Sequence, residues 1–291
     1  MELRGNIPAI VTPFDKEDRV DPEGLKKNIE FMIKHIDGIV PCGTTGESPT
    51  LTFEEHKHVI ELVIEIVDGR VPVIAGTGSN STIEAVDLTR HAADAGADAA
   101  LVVAPYYNKP TQRGIYRHYQ TIAESCDIPI VIYNIPSRTG INIEPSTIEE
   151  LAKLENIVGV KEASGNLGQM MKILNCCDLT LLSGDDNLTL PVLAIGGKGV
   201  ISVASNIIPG PISEMVTAFE KGDLESAREI NYRYFKLFNS IFLETNPGPI
   251  KEAMNMMGLA AGHVRSPLVT LGDENRERLR GVLAELDLVG G

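Results

Sequence analysis

Across its 291 residues the chain has no apolar run long enough to span a bilayer as a helix. Basic residues are scarce: Lys and Arg total 26 against 40 Asp and Glu, a formal net charge of −14. So acidic a surface excludes nucleic acid and anionic membrane as partners, and an anionic ligand would need a local positive site of its own. The four cysteines, Cys42, Cys126, Cys176 and Cys177, lack the spacing of a zinc site or a disulfide framework. A bridge between the adjacent Cys176 and Cys177 would be strained, so four reduced thiols are expected. The six histidines are scattered, and His56 and His58 point to different faces of one helix, so no metal is expected. The opening Met1–Pro8 has no signal-peptide core, which leads us to expect a cytoplasmic protein.

What is present is an alternation of short β-branched runs with longer amphipathic ones. The runs at 7–11, 39–40, 71–75, 99–103, 130–132, 157–160, 180–182 and 200–203 read as strands buried on both faces. Amphipathic stretches between them read as crossover helices. About eight such pairs approach the roughly 250 residues of a (β/α)8 TIM barrel, with a doubly wound open sheet as the rival. The alternation ends near Lys221; stretches at 227–243, 249–257 and 274–286 read as helices, with Asn246–Pro247–Gly248–Pro249 as a break. The expected organisation is a barrel over 1–223 followed by a C-terminal helical region over 224–291.

The chemistry converges on the run from Pro129 to Asn166, a βαβ unit that leaves Tyr133, Arg138 and Lys161 at the carboxyl ends of neighbouring strands. A lysine ending a buried strand is ordinarily a solvated end with its stem on apolar surface. In a poorly hydrated pocket it becomes an amine nucleophile toward a ketone. Tyr133 can carry protons beside it, and the planar fork of Arg138 suits a carboxylate. Gly43–Thr44–Thr45–Gly46 after the second strand is either a plain turn or a carboxylate cradle, and its position at the same barrel end favours the cradle. Glu47 reads as fixing that loop. In Tyr106–Tyr107 the first reads as rim packing and the second as a further phenol in a proton chain. Gly76–Thr77–Gly78–Ser79 begins like a dinucleotide fingerprint, but Ser81 stands where the third glycine belongs. Asp185 and Asp186 read as helix-start residues, Gly184 and Ile201 as pocket lining, and Gly196–Gly197–Lys198–Gly199 as a tight turn at the stability face.

Taken together, the runs GTTGESPTL, PYYNKP, YNIPSRTG and VGVKEASGN resemble the dihydrodipicolinate synthase family of pyruvate-dependent class I aldolases over essentially the whole chain. The resemblance implies a (β/α)8 barrel with a helical C-terminal region, usually assembled as a homotetramer, a dimer of dimers. It also implies condensation of pyruvate with L-aspartate 4-semialdehyde on the route to diaminopimelate and lysine, with no cofactor beyond a covalent imine to Lys161. By the same resemblance, Thr44 and Thr45 hold the pyruvate carboxylate, Tyr133 is the general acid and base, and Tyr107 comes from a neighbouring subunit. Arg138 receives the semialdehyde carboxylate and separates this chain from similar aldolases acting on 2-keto-3-deoxy sugar acids. Ser48, His56, Asn80, Glu84 and Tyr106 match residues of a lysine-effector site. Phe53 and Pro49 depart from the lysine-inhibited pattern, so weak or absent inhibition is expected.

Overall fold

Short strands flanked by helices long enough to cross back pair in parallel, and this chain builds one parallel sheet. The computed structural model describes residues 3–290. Its strands are β1 (Gly5–Pro8), β2 (Ile74–Gly76), β3 (Ala99–Val103), β4 (Ile130–Asn134), β5 (Ile157–Glu162), β6 (Thr180–Ser183) and β7 (Gly199–Ser202). Their order is β1-β7-β6-β5-β4-β3-β2. From β2 to β7 each strand lies beside its successor, and β1 lies beside β7. A doubly wound sheet reverses order at a switch point, and none is present among the described residues.

The outer edges of the sheet, β1 and β2, meet through Ile39 and Val40. Val40 bridges in parallel to Ala9, and Ile39 to Val73. The Val40 N–H donates to Pro8 O at 2.8 Å, and the Ile74 N–H to Ile39 O at 2.9 Å. The sheet thus curls into a TIM-barrel-like α/β fold. The 39–40 segment expected as the second strand makes single bridges instead of a regular ladder, because Pro41 has no N–H and Cys42 turns away with φ of 54°. Proline also delays β2, expected from residue 71: Pro72 cannot donate. β1, expected to run to Val11, ends its regular pairing at Pro8, since the Val11 N–H is taken by Asn206 Oδ1 at 3.1 Å.

Alternate residues of the strands point inward, and Ile7, Val40, Ile74, Leu101, Val131, Tyr133, Leu182 and Ile201 form one buried cluster. Helices cover the outside. Among them Phe53–Val67 starts with a capping box, in which Thr52 accepts from Glu55 N–H and the Glu55 side chain returns the bond. The helices Leu224–Ser240, Gly248–Met256 and Asp273–Glu285 follow the last crossover helix, Pro209–Glu220. Ala227, Leu237, Ile250, Met254, Leu279 and Leu283 share a core with Val11, Val200 and Val203, which ties this region to the first and last strands. Among the described residues no helix is long and apolar enough to cross a membrane.

The glycines of the rejected fingerprint have a packing role. A Cβ on Gly76 would lie 2.3 Å from Cys42 O and 2.9 Å from Gly43 N; one on Gly78 would lie 2.3 Å from Val103 N. β2 therefore passes against the backbone of the Gly43–Gly46 loop with no room for a side chain. Gly76→Ala should destabilise the fold by about 1–3 kcal/mol through overpacking. Urea unfolding checks this, and an unchanged midpoint would show that the loop moves aside freely.

Candidate active site

The register of the sheet sets the site. Tyr133 of β4 pairs directly with Lys161 of β5, so their side chains leave the sheet on the same face. The Lys161 Nζ lies 4.1 Å from the centroid of the Tyr133 ring, and both residues are 5 % exposed. The solvated-end alternative for Lys161 does not hold. Lys161 pairs with Leu182 of β6 on its other side and so leaves the sheet on the face that carries Tyr133 and Leu182, the interior of the curled sheet. The residue after it, Glu162, is fully buried on the opposite face. Its carboxylate accepts from Asn134 Nδ2 at 2.9 Å and Ser164 N at 2.8 Å, which fixes the end of β5.

Gly184 extends the β5–β6 ladder by donating to Glu162 O at 2.8 Å. A Cβ there would come within 2.6 Å of the Ala163 Cβ, so a side chain at this position would crowd the residues that follow Lys161. Asp185 and Asp186 do more than start a helix. Neither caps it, and the Asp186 carboxylate turns inward to accept from Ser202 Oγ, Val203 N and Ala204 N, binding the end of β7. Burial raises the Asp186 carboxyl against these hydrogen bonds. Burial likewise pushes Asp185 up to about 6, against a lowering by the nearby Lys161.

Thr44 and Arg138 line a cavity of about 390 Å³. Arg138 projects from the short helix Pro136–Thr139, which follows β4. Its Nη2 donates to Asn246 O at 3.2 Å. Thr45 is buried, and its Oγ1 accepts from Asn246 Nδ2 at 3.0 Å. Asn246 thus joins the two expected carboxylate grips, although a lone asparagine in a proline-rich break carries no sequence signal.

Of the effector candidates, Ser48, His56, Glu84 and Tyr106 line this same cavity. Asn80 does not; it packs behind, with its backbone O accepting from Asn108 Nδ2 at 2.9 Å. The His56 Nε2 lies 2.7 Å from Gly76 O, and burial lowers its pKa. Tyr107 stands apart from Tyr133, 88 % exposed and with φ of 70°. Ile201 is buried on β7 beside Ile7.

The model of the dihydrodipicolinate synthetase family matches residues 2–286. The chain is 54% identical over 291 residues to the 4-hydroxy-tetrahydrodipicolinate synthase of Syntrophus aciditrophicus, covering 99% of this chain and 100% of that one. Among solved structures, dihydrodipicolinate synthase from Aquifex aeolicus is 50% identical with a TM-score of 0.96, covering 98% of this chain and 99% of that one. The chloride-inhibited synthase from Acinetobacter baumannii, solved in complex with pyruvate, is 42% identical with a TM-score of 0.96, over 99% of this chain and 100% of that one.

The raised carboxyl at Asp185 gives a stability test. The folded pKa of about 6 exceeds the ordinary 3.8, so Asp185 is unfavourable to folding once ionised, above about pH 6, and harmless below the ordinary value. Asp185→Asn should therefore stabilise the protein at pH 8 by on the order of 1–3 kcal/mol, with the gain shrinking by pH 5. Urea unfolding at the two pH values measures it; a gain independent of pH would assign the effect to something other than charge burial.

Proposed function

The chain belongs to the dihydrodipicolinate synthetase family, and from that premise we propose that it is a lyase with 4-hydroxy-tetrahydrodipicolinate synthase activity. It would condense pyruvate with L-aspartate 4-semialdehyde. The observation that carries this assignment is the buried pairing of Lys161 with Tyr133, the amine 4.1 Å from the ring centroid, inside the curled sheet. The amine and its proton carrier are within reach of one substrate carbon.

In this scheme the neutral Lys161 amine attacks the pyruvate ketone and water leaves, giving an imine that draws electrons from the methyl group. Loss of a methyl proton, with Tyr133 as acceptor, gives an enamine whose terminal carbon attacks the aldehyde. The resulting alkoxide takes a proton, and the amino group of the condensed product displaces Lys161 from the imine carbon to close the ring. Thr44 and Thr45 hold the pyruvate carboxylate, with small neighbours that leave backbone N–H groups accessible. Arg138 at the rim offers its guanidinium to the semialdehyde carboxylate, a better match than a sugar-acid polyol. Gly184 and Ile201 shape the floor. The covalent imine makes a further cofactor unnecessary.

We also read the Ile39–Val40 bridges as the eighth stave of a (β/α)8 barrel, and the chain as one protomer of a cytoplasmic homotetramer. Exposed Phe53, Ile83 and Tyr107 support assembly. The positive φ of Tyr107 costs conformational energy that an isolated chain would not recover, and a contact across a subunit boundary would recover it, joining Tyr107 to the proton path through Thr44. Ser48, His56, Glu84 and Tyr106 would face the effector cavity, with Phe53 weakening any response to lysine.

Sodium borohydride with pyruvate should add a reduced adduct to the wild-type protein at Lys161 and none to Lys161→Ala, as read by mass spectrometry; equal labelling of both would refute the nucleophile. Arg138→Ala should leave the adduct intact while lowering kcat/KM for the semialdehyde roughly thirtyfold, the loss of about 2 kcal/mol of charged hydrogen bonding. If trapping and turnover fell together, Arg138 would have a different partner. Titration with L-lysine should leave most activity in place, and strong inhibition would overturn the weak-effector expectation.

A further inference from the structure

Resting on the synthase chemistry above, we propose that Lys251, on the helix Gly248–Met256, is a positioning residue for pyruvate: its ion pair with Glu47 sets the loop that carries Thr44 and Thr45. Glu47 is 1 % exposed and occupies the left-handed region, with φ of 56° and ψ of 36°. A glutamate persists there only when its surroundings over-determine it. The determinants come from the far end of the chain. Lys251 Nζ lies 2.5 Å from Glu47 Oε1, and the Arg265 N–H donates to Glu47 Oε2 at 2.9 Å. Lys251 in turn donates to His263 O at 2.7 Å, and its Nζ lies 4.2 Å from the Phe14 ring centroid, with the Arg265 guanidinium on the same ring at 4.1 Å.

The loop is tied at both ends of this bond. The Glu47 N–H donates to Thr44 O at 3.1 Å, and the neighbouring Gly46 O accepts from Thr12 Oγ1 at 2.7 Å. The same helix start holds the other half of the cradle: the Lys251 N–H donates to Pro247 O, one residue after the Asn246 that grips Thr45. A buried ion pair is weak evidence for stability, because apolar replacement of both partners is often neutral. Its geometry here instead fixes a strained residue next to the cradle.

Burial pushes the Lys251 ammonium down to about 8, so the tie weakens as the solution becomes alkaline. The charged groups around it are Glu47 on the loop, Asp18 in the turn after Phe14, Glu55 at the start of Phe53–Val67, and Arg265 and His263 on the returning segment. Of these, Asp18 and Glu55 engage Arg265, and Glu47 alone pairs with Lys251.

The test reads the pyruvate concentration that gives half-maximal borohydride trapping on Lys161 between pH 6.5 and 9.5, using the full-length protein. For the wild type it should be steady below about pH 8 and climb about tenfold above it. Lys251→Arg, whose guanidinium keeps its proton, should remove the climb. In Glu47→Gln/Lys251→Met, where no charge is left unpaired, the concentration should be raised about tenfold at every pH with no further climb, while KM for the semialdehyde stays within about twofold. A double variant matching the wild type in value and pH profile would overturn the role. Should that variant not fold, the comparison of wild type with Lys251→Arg decides, and identical climbs in both would overturn it. Absence of a wild-type adduct at any pH would remove the synthase chemistry and this role together, whereas an adduct with unaltered pyruvate dependence would remove the role alone.

Discussion

Everything at this site depends on the hydrogen-bond register between β4 and β5. The ladder pairs Tyr133 with Lys161 and Asn134 with Glu162, which assigns one pair to the interior and the other to the helix side. A slip of one residue would exchange them, placing Glu162 inside and Lys161 among the helices. The polar groups behind the sheet lock that choice. Glu162 finds its partners, Asn134, Ser164 and Gln169, only on the outer side. Thus the donors that satisfy a buried carboxylate on one face also keep the amine on the other.

The two proposed carboxylate grips, Arg138 and Thr45, depend on a different part of the molecule. Arg138 and Thr45 belong to segments far apart in the chain, and Asn246 touches both, with its backbone O and its side-chain amide. Five residues later Lys251 reaches Glu47. The break before the helix Gly248–Met256 is consequently part of the rim, and the C-terminal helices act as the frame on which that rim hangs. They also share apolar core with β7, so floor and rim are held by one packed body.

Much of this was legible in the sequence because parallel strands buried on both faces appear as short β-branched runs, and because chemistry gathers at their carboxyl ends. Lys161, Tyr133, Thr44 and Arg138 could all be placed this way. What escaped was polar and long-range. Asn246 and Lys251 have no periodic signature, and their importance arises from partners roughly 100 to 200 residues away in the chain. Asp186 sits where helix caps are common, and only the fold shows its carboxylate turned toward β7. Boundaries were missed where a side chain or a proline interrupts the ladder, as Asn206 does at Val11 and Pro72 does before β2. Tyr107 was read as a phenol in a proton chain, with only its place in a neighbouring subunit coming from resemblance, and in the single chain it is exposed, away from the buried phenol it was expected to assist.

The tie between Glu47 and Lys251 also has a consequence in time. The pair is separated by 251 − 47 = 204 positions. At a synthesis rate of about 5–20 residues per second, roughly 10–40 seconds pass between the appearance of the two partners. Until Lys251 and Arg265 have been made, the Glu47 carboxylate lacks both of the partners that hold it in the folded protein, and an unpaired carboxylate is costly to bury. β1 to β7 are all synthesised before Lys251, so the residues of the sheet exist before the loop's last ties do. The tie thus makes the shape of the loop that carries Thr44 and Thr45 depend on residues synthesised after every strand of the sheet.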